Sequence, residues 1–187
     1  MSSFSFKYPS GLKRHDILCF MDIISHALWG GIAFGRKNRR SFLLATLFGL
    51  MPDLLSFGVL IIVMLISGQT PDWSNGAPES ISIPVYARTL YNWTHSLLVF
   101  IWVFSIVWIY FRKPVLELTA WGLHVLMDIF THTDRFFPTP FLWPLSDSTV
   151  SFIPWSDPRI FVTNVFLLSV LYLWFYLVRQ RFMGSKV

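Results

Sequence analysis

Five apolar segments account for most of this 187-residue chain and leave little room for a water-soluble domain. They are Ile17–Gly35, Phe42–Ile66, Thr94–Phe111, Val115–His132 and Ile160–Val178. A full crossing of a bilayer takes ~20 apolar residues, so each segment can span the membrane or enter it deeply. Only 13% of the residues are charged, about half of the roughly 25% that soluble domains carry. The sequence therefore predicts an all-α integral membrane protein, a helical bundle of five membrane segments.

One membrane-embedded domain over residues 21–187 is the economical interpretation for a chain of this length. Residues 1–20 are interpreted as an N-terminal arm, for which disorder is one interpretation. They lack the apolar core and the small-residue cleavage site of a signal peptide. Within the domain, Pro52 interrupts the second apolar segment, and the loss of its N–H predicts a kink there.

The basic residues concentrate in three short segments, residues 36–41, 112–114 and 179–187. By the positive-inside rule these segments face the cytoplasm, and residues 67–93 and 133–159 face the other side. The formal net charge of +5 therefore reflects membrane topology, since no basic stripe indicates nucleic-acid binding. We expect a multi-pass protein of the inner (plasma) membrane with a cytoplasmic C-terminus, whose main partner is the lipid bilayer.

Three ionisable residues lie four apart in the fourth apolar segment: His124, Asp128 and His132. Each step of four residues turns an α-helix by only ~40°, so the three side chains share one stripe of the helix. All three are metal-ligand types, and burying them singly in hydrocarbon is costly. The spacing therefore indicates a shared partner, for which a metal ion is the natural candidate.

The same kinds of residue recur in the first three segments. Asp22 and His26 are again four apart, with a ridge of small residues on the adjacent face of the same helix. Asp53 follows Pro52, and His95 lies at the predicted N-terminus of the third segment. The directions of the predicted helices bring all of these residues to similar depths. The sequence therefore predicts that seven metal-ligand side chains converge: Asp22, His26, Asp53, His95, His124, Asp128 and His132.

Imidazole and carboxylate ligands without thiolates favour Zn²⁺, with Mn²⁺ and Fe²⁺ as alternatives. Cys19 is the sole cysteine, which excludes a cysteine-rich site. Seven ligands exceed what one tetrahedral ion requires. Either more than one metal binds, or some residues orient the ligands and one carboxylate, Asp53 or Asp128, acts as a general base. A divalent metal held in this way lowers the pKa of its water to roughly 7 and makes that water a nucleophile.

Two further features have both an ordinary and a functional interpretation. Ser96 is a candidate nucleophile beside His95, although a serine at the start of a helix is more often a cap. The aromatic, proline-rich stretch of residues 136–144 suits the level of the lipid head groups. It is either an interfacial anchor or a lid over a site.

Several of these motifs, in this order, resemble the YdjM-like family of inner-membrane metal-dependent hydrolases. The resemblance covers most of residues 21–155 and rests on Met21–Gly30, Met51–Asp53, Trp93–Leu98, His124–Asp128 and Phe141–Ser146. It implies a small multi-helix membrane protein that hydrolyses its substrate with a bound metal. The ligands that it implies are Asp22, His26, Asp53, His95, His124 and Asp128. His132 is added from helical phase alone.

The function that the sequence favours is metal-dependent hydrolysis of an ester or phosphodiester in a lipid-like substrate. A substrate arriving from the bilayer fits a chain without a sizeable soluble domain. The main alternative is a proton or metal-ion transporter that uses the same residues, although the chain shows no internal repeat of the kind found in transporters. A ceramidase-type membrane hydrolase and a non-enzymatic scaffold are further alternatives. The specific substrate and the oligomeric state do not follow from the sequence.

Overall fold

The computed structural model describes residues 14–68, 83–134 and 137–184, with side chains described over 23–68, 83–134 and 137–177. Within these ranges the chain is helical and contains no β-strand, which confirms the predicted all-α class. The helices are α1 (Arg14–Phe34), α2 (Arg39–Asp53), α3 (Val59–Ile66), α4 (Val85–Thr94), α5 (Leu97–Phe111), α6 (Thr119–Thr131) and α7 (Pro158–Gly184). A π-helical turn, Leu54–Gly58, joins α2 to α3, and a 3₁₀ turn, Leu116–Leu118, precedes α6.

Two helical stretches are long and apolar enough to cross a membrane. They are Arg39–Ile66, which runs from α2 through α3, and Pro158–Leu177 in α7. Helices α4 and α5 would make a third span if they are counted together, although they meet at an angle of 57°. These helices are as expected of a membrane protein, while the five predicted segments, their orientation and the domain boundary at residue 21 stay predictions. Helix α1 begins at Arg14, within the predicted arm.

The chain does not leave the helix at Pro52. The π-helical turn begins two residues later, at Leu54, and the Ser56 hydroxyl in that turn donates to the Pro52 carbonyl oxygen at 2.8 Å. A proline removes one helical N–H, and π-helical geometry occurs mostly as single turns inside α-helices, as it does here. The kink itself stays a prediction, and the turn leaves Asp53 buried at the end of α2.

Helices α1 and α2 approach each other closely because small residues line both. A Cβ added at Gly31 or Gly35 would lie 2.6 Å or 2.5 Å from atoms of α2, which confirms that the small-residue ridge packs against a neighbouring helix. A Cβ at Gly49 would lie only 2.6 Å from the His26 carbonyl oxygen, and one at Gly30 would meet α2 in the same way. No larger side chain fits between these backbones unless one of them moves.

The remaining helices surround this pair. Helix α6 packs against both α1 and α2, and α5 packs against the outside of α6. The 3₁₀ turn is fastened to α2 by the Ser41 hydroxyl, which donates to the Glu117 carboxylate at 2.6 Å. The result is a bundle whose interior is bounded by α1, α2, the end of α4 and α6.

Helix α7 joins the bundle through polar contacts with α1. The Asn164 side chain accepts a hydrogen bond from Trp29 Nε1 and donates one to Ser25 Oγ, each at 2.7 Å. The Tyr172 hydroxyl donates to the Leu28 carbonyl at 2.8 Å. The described side chains of α7 are otherwise mostly exposed and apolar, as expected for a helix that faces lipid.

Candidate metal centre

Six of the seven sequence-predicted residues meet in the interior of the bundle. His26 comes from α1, Asp53 from the end of α2, and His95 from the break between α4 and α5. The other three are contributed by α6 and the residue after it, namely His124, Asp128 and His132. All six are buried, from 0% exposed for His95 to 6% for His132. The side chain of Asp22 lies outside the described residues.

Helix α6 places two of these residues on its buried face, as the spacing of four predicted. His124 and Asp128 are both 1% exposed. The helix ends at Thr131, and the extended backbone of His132 ends the helix as its C-terminal cap. The indole of Trp121, one turn before His124, donates to the Thr94 carbonyl at 2.6 Å. That bond fixes α6 to the end of α4 and so to His95.

The break between α4 and α5 positions His95. The Ser96 hydroxyl accepts from the Val99 N–H at 3.3 Å and donates to the Trp143 carbonyl, so Ser96 is the N-cap of α5, as expected of a serine at a helix start. The prediction of a helix N-terminus at His95 holds to within two residues, since α5 begins at Leu97. Helix α4 itself lies where the sequence predicted only a loop, because its short alternation of polar and apolar residues is too weak a membrane signal.

Backbone groups fix which ring nitrogen of two histidines faces the centre. The Nδ1 atom of His124 lies 2.7 Å from the Gly49 carbonyl oxygen, which can only accept, so this nitrogen carries the hydrogen. The Nδ1 atom of His95 lies 3.2 Å from the Tyr91 carbonyl and 2.9 Å from the Thr94 hydroxyl, which itself donates one turn back. In both neutral rings Nε2 is therefore the lone-pair nitrogen, the arrangement typical of metal-binding histidines.

Five separations among four donor atoms have the lengths expected of ligands that share one metal ion. The two Nε2 atoms of His95 and His124 are 3.2 Å apart. Asp53 Oδ1 lies 3.5 Å and 3.7 Å from them, and Asp128 Oδ2 lies 3.3 Å and 3.2 Å from them. Ligands about 2.0–2.1 Å from a tetrahedral Zn²⁺ lie about 3.3–3.4 Å from one another. The observed separations match that spacing to within a few tenths of an ångström.

His26 lies behind the two carboxylates. Its Nε2 atom is 3.1 Å from Asp128 Oδ1, and its Nδ1 atom is 3.5 Å from Asp53 Oδ2. These are the carboxylate oxygens that the four-atom set does not use. His26 can thus orient both carboxylates, or it can join His124 and Asp128 in an alternative group of three donors.

His132 is peripheral to the centre. Its Nδ1 atom lies 3.5 Å from Asp128 Oδ1, whereas His95 and His124 contact Asp128 Oδ2. Among the described residues, the donor groups compact enough for one ion contain His26, Asp53, His95, His124 and Asp128 but not His132. The helical spacing therefore predicted correctly that His132 lies near the centre. It did not predict that His132 stays outside the groups of donor atoms that could hold an ion.

The buried His and Asp side chains of the centre could hold a metal ion. Both oxygens of Asp128 are buried without a conventional hydrogen-bond partner among the described residues, and their close neighbours are imidazole nitrogens. Two lone-pair nitrogens 3.2 Å apart repel each other unless a proton or a metal lies between them. Buried charges are tolerated when they pair or coordinate a metal. The residues present therefore fit a divalent cation, and their lack of thiolates fits Zn²⁺ and its first-row neighbours.

Sequence reasoning missed the groups that hold the ligands in place. These are the Gly49 carbonyl, the Tyr91 carbonyl, the Thr94 hydroxyl and the Trp121 indole. Tyr91 lies one turn before His95, so a search for i−4 partners would have found it. Gly49 contacts a histidine 75 positions away, and no local pattern indicates such a contact.

No protein-family model, curated protein or solved structure matches this chain. A functional interpretation therefore depends on the geometry of the centre and on the motifs of the chain itself.

Proposed function

We propose that this chain is a membrane-bound, metal-dependent hydrolase that acts on an ester or phosphodiester of a lipid-like substrate. The observation that carries the proposal is a set of three donor atoms from His95, His124 and Asp128, which lie 3.2–3.3 Å from one another with the Asp53 carboxylate beside them. The motif resemblance to YdjM-like hydrolases points in the same direction. Zn²⁺ is the proposed metal, and the inner membrane with a cytoplasmic C-terminus is the proposed location.

The side chains divide into distinct roles. His95 and His124 would hold the metal through Nε2, and the Tyr91 and Gly49 carbonyls keep their rings in the required orientation. Asp128 is the more firmly held carboxylate, because four imidazoles lie within 3.1–3.5 Å of it. A bound divalent ion would supply Lewis acidity and a nucleophilic water at neutral pH.

Asp53 is the proposed general base. Its contacts with imidazole nitrogens, at 3.5–3.7 Å, are the longest of the four-atom set. At 5% exposed it is also the least buried of the four donors. A carboxylate held this loosely can turn one oxygen towards an attacking water and accept its proton. His26 contacts its other oxygen at 3.5 Å and can take that proton onward.

The surroundings of the centre suit a substrate from the membrane. Helices α5 and α7 expose large apolar side chains such as Trp102, Ile109 and Phe166, at 64%, 70% and 64%. Such surfaces are stable against lipid rather than water. A lipid can therefore reach the bundle by lateral diffusion, without a soluble carrier.

The test combines metal analysis with activity on detergent-purified protein. We expect about one Zn²⁺ per chain, together with hydrolysis of a panel of phospholipid and ester substrates that is lost in His124→Ala and Asp53→Ala. Asn164→Ala, a polar change outside the centre, should keep both properties. Bound metal without hydrolysis of any panel member, together with metal uptake into proteoliposomes, would overturn the hydrolase in favour of the transporter.

A further inference from the structure

A cavity of about 250 Å³ lies between α4 and the loop that follows residue 136. Its polar and aromatic walls come from Arg88, Tyr91 and Asn92 on α4 and from Phe137, Asp147 and Thr149 on the loop. A water molecule takes up about 30 Å³ of liquid, so the space equals several waters or the polar head of a phospholipid. Apart from Tyr91, whose carbonyl oxygen lies against His95, these residues have no role in the proposed chemistry.

A single aromatic layer separates this cavity from the metal centre. The ring of Tyr91 forms part of the cavity wall and stacks on His95 at 3.8 Å between ring centroids. The Tyr91 hydroxyl donates to the Phe137 carbonyl at 2.9 Å, and the two rings lie 4.9 Å apart. Arg88 lies two helical turns before His95, which is about 10 Å along the axis. The cavity therefore adjoins the centre on the side of the 137–149 loop.

Helix α4 presents three different faces around its axis. One face is buried against the bundle. A second is exposed and apolar, with Val85, Tyr86 and Trp93 at 79%, 39% and 46%. Between these two faces lie Arg88 and Asn92, which line the cavity. Exposed Trp and Tyr beside a polar face are typical of the membrane–water interface, a placement that would bring the cavity to the depth of lipid head groups.

We propose that this cavity binds the phosphate-bearing head group of a phospholipid. The Arg88 guanidinium offers a planar set of N–H donors suited to phosphate oxygens. Asn92 and Thr149 add neutral hydrogen-bonding groups. The Asp147 carboxylate in the same cavity matches a hydroxyl or ammonium donor elsewhere on the head group. The proposal rests on the proposed function only in treating the bound lipid as substrate, since head-group binding stands without it.

Binding of a short-chain phospholipid tests this site directly. Dihexanoyl-phosphatidylethanolamine is titrated into detergent-purified protein, and bound lipid is counted by native mass spectrometry. We expect Arg88→Gln to weaken binding about tenfold, the effect of losing one charge-assisted contact, and Arg88→Lys to recover part of it. Arg159→Gln is the matched control, because Arg159 is exposed and pairs with Asp157 outside the cavity. Binding that stays within about twofold in Arg88→Gln, or that falls equally in Arg159→Gln, overturns the proposal.

Two further ligands separate the sources of the phosphate. Dihexanoylglycerol lacks the phosphate and should bind at least tenfold more weakly. Glycerol 3-phosphate lacks the acyl chains, and binding as tight as that of the lipid would overturn the lipid assignment. If Arg88→Gln does not fold, Asn92→Ala supplies the same comparison. We expect it to lose less affinity for the lipid than Arg88→Gln would. An unchanged affinity in Asn92→Ala would contradict binding in the cavity.

Failure of this proposal is distinguishable from failure of the hydrolase. Metal content is measured on the same samples and should be unchanged in Arg88→Gln, because Arg88 belongs to neither donor group and lies two helical turns from His95. Head-group binding without hydrolysis would contradict the enzyme but keep the cavity. Hydrolysis with equal head-group affinity in wild type and Arg88→Gln would keep the enzyme and discard the cavity.

Discussion

Helices α6 and α7 are both rich in apolar residues, yet their polar side chains lie in different surroundings. Helix α6 buries His124 and Asp128 in the middle of the bundle, where they meet donors from three other segments. Among the described side chains of α7, Leu168 is the buried one, and the neutral Asn164 and Tyr172 bond to α1 at the rim. Neutral polar groups are satisfied in pairs by a neighbouring helix. A single neighbouring group does not satisfy an ionisable side chain in this way. Those of α6 instead lie among other ionisable groups, where a bound cation could contact several of them.

The largest expected effect comes from removing a donor of α6. His124→Ala deletes one of three donor atoms that lie 3.2–3.3 Å from one another, and it leaves Asp128 buried beside fewer compensating groups. We expect bound metal to fall from about one ion per chain to below about 0.1, measured by elemental analysis of purified protein. Asn164→Ala on α7 is the control and should keep its metal. An equal metal content in the two variants would contradict the claim that α6, and not α7, contributes to the metal centre.

The second effect concerns the backbone that carries the centre. Gly49→Ala would put a Cβ 2.6 Å from the His26 carbonyl oxygen, so α1 and α2 must separate and the Gly49 carbonyl must leave His124. We expect a loss of about 1–3 kcal/mol of stability and weaker metal binding, followed by thermal unfolding in detergent with and without Zn²⁺. Gly58→Ala is the matched control, because its nearest neighbour would be 3.7 Å away. A similar unfolding temperature for the two variants would contradict the role of close packing.

The third prediction separates the two carboxylates. Asp128 contacts four imidazoles at 3.1–3.5 Å, whereas Asp53 contacts three at 3.5–3.7 Å. Asp128→Asn should therefore weaken Zn²⁺ binding at least about tenfold more than Asp53→Asn does, as measured by competition with a chelating dye. Activity should be lost in both, since Asp53 is the proposed base. The reverse order of affinities would exchange the roles of ligand and base.

The sequence predicted the centre better than it predicted the helices around it. Convergence was predictable because spacings of four put His124 and Asp128 on one stripe, and because hydrocarbon penalises each ionisable group alone. The ends of the helices were not predictable in this way. Helix α6 has 13 residues, about 20 Å in length, whereas the sequence predicted one segment over Val115–His132 that spans the membrane or enters it deeply.

The contacts that the sequence could not predict join residues that are far apart along the chain. The Gly49 carbonyl that orients His124 belongs to the backbone of another helix, and glycine carries no side chain whose type could reveal such a role. The same holds for Trp121, whose indole reaches the Thr94 carbonyl 27 residues away. A tryptophan in an apolar segment indicates that the side chain is buried or lies at the membrane interface. It does not indicate which carbonyl oxygen accepts the indole hydrogen bond.

A smaller effect is expected from α7 itself. Asn164→Ala removes two hydrogen bonds of 2.7 Å, from Trp29 and to Ser25. Polar contacts between membrane helices contribute about 0.6 kcal/mol on average and up to about 1.7 kcal/mol, so we expect a loss of about 1 kcal/mol in detergent unfolding. Ser169→Ala is the control, since that hydroxyl bonds to its own helix at the Val165 carbonyl. A loss of metal in Asn164→Ala would show that α7 is coupled to the centre after all.

The smallest effect lies at the exposed start of α7, where an ion pair faces solvent instead of a buried partner. Hydrogen bonds from the Arg159 side chain, and secondarily from its backbone N–H, lower the pKa of Asp157 from 3.8 to about 2. Because this pKa is lowered in the folded chain, the contact stabilises the fold above pH 3.8 and is lost as the pH falls through about 2. Arg159→Gln should raise the pKa of Asp157, as followed by the carboxyl ¹³C shift in NMR, and leave the metal content unchanged. The pKa should stop short of 3.8, because the residue 159 N–H at 2.8 Å survives the substitution. A pKa that stays at about 2 would assign the whole effect to that N–H and leave the guanidinium, 82% exposed, with no share in it.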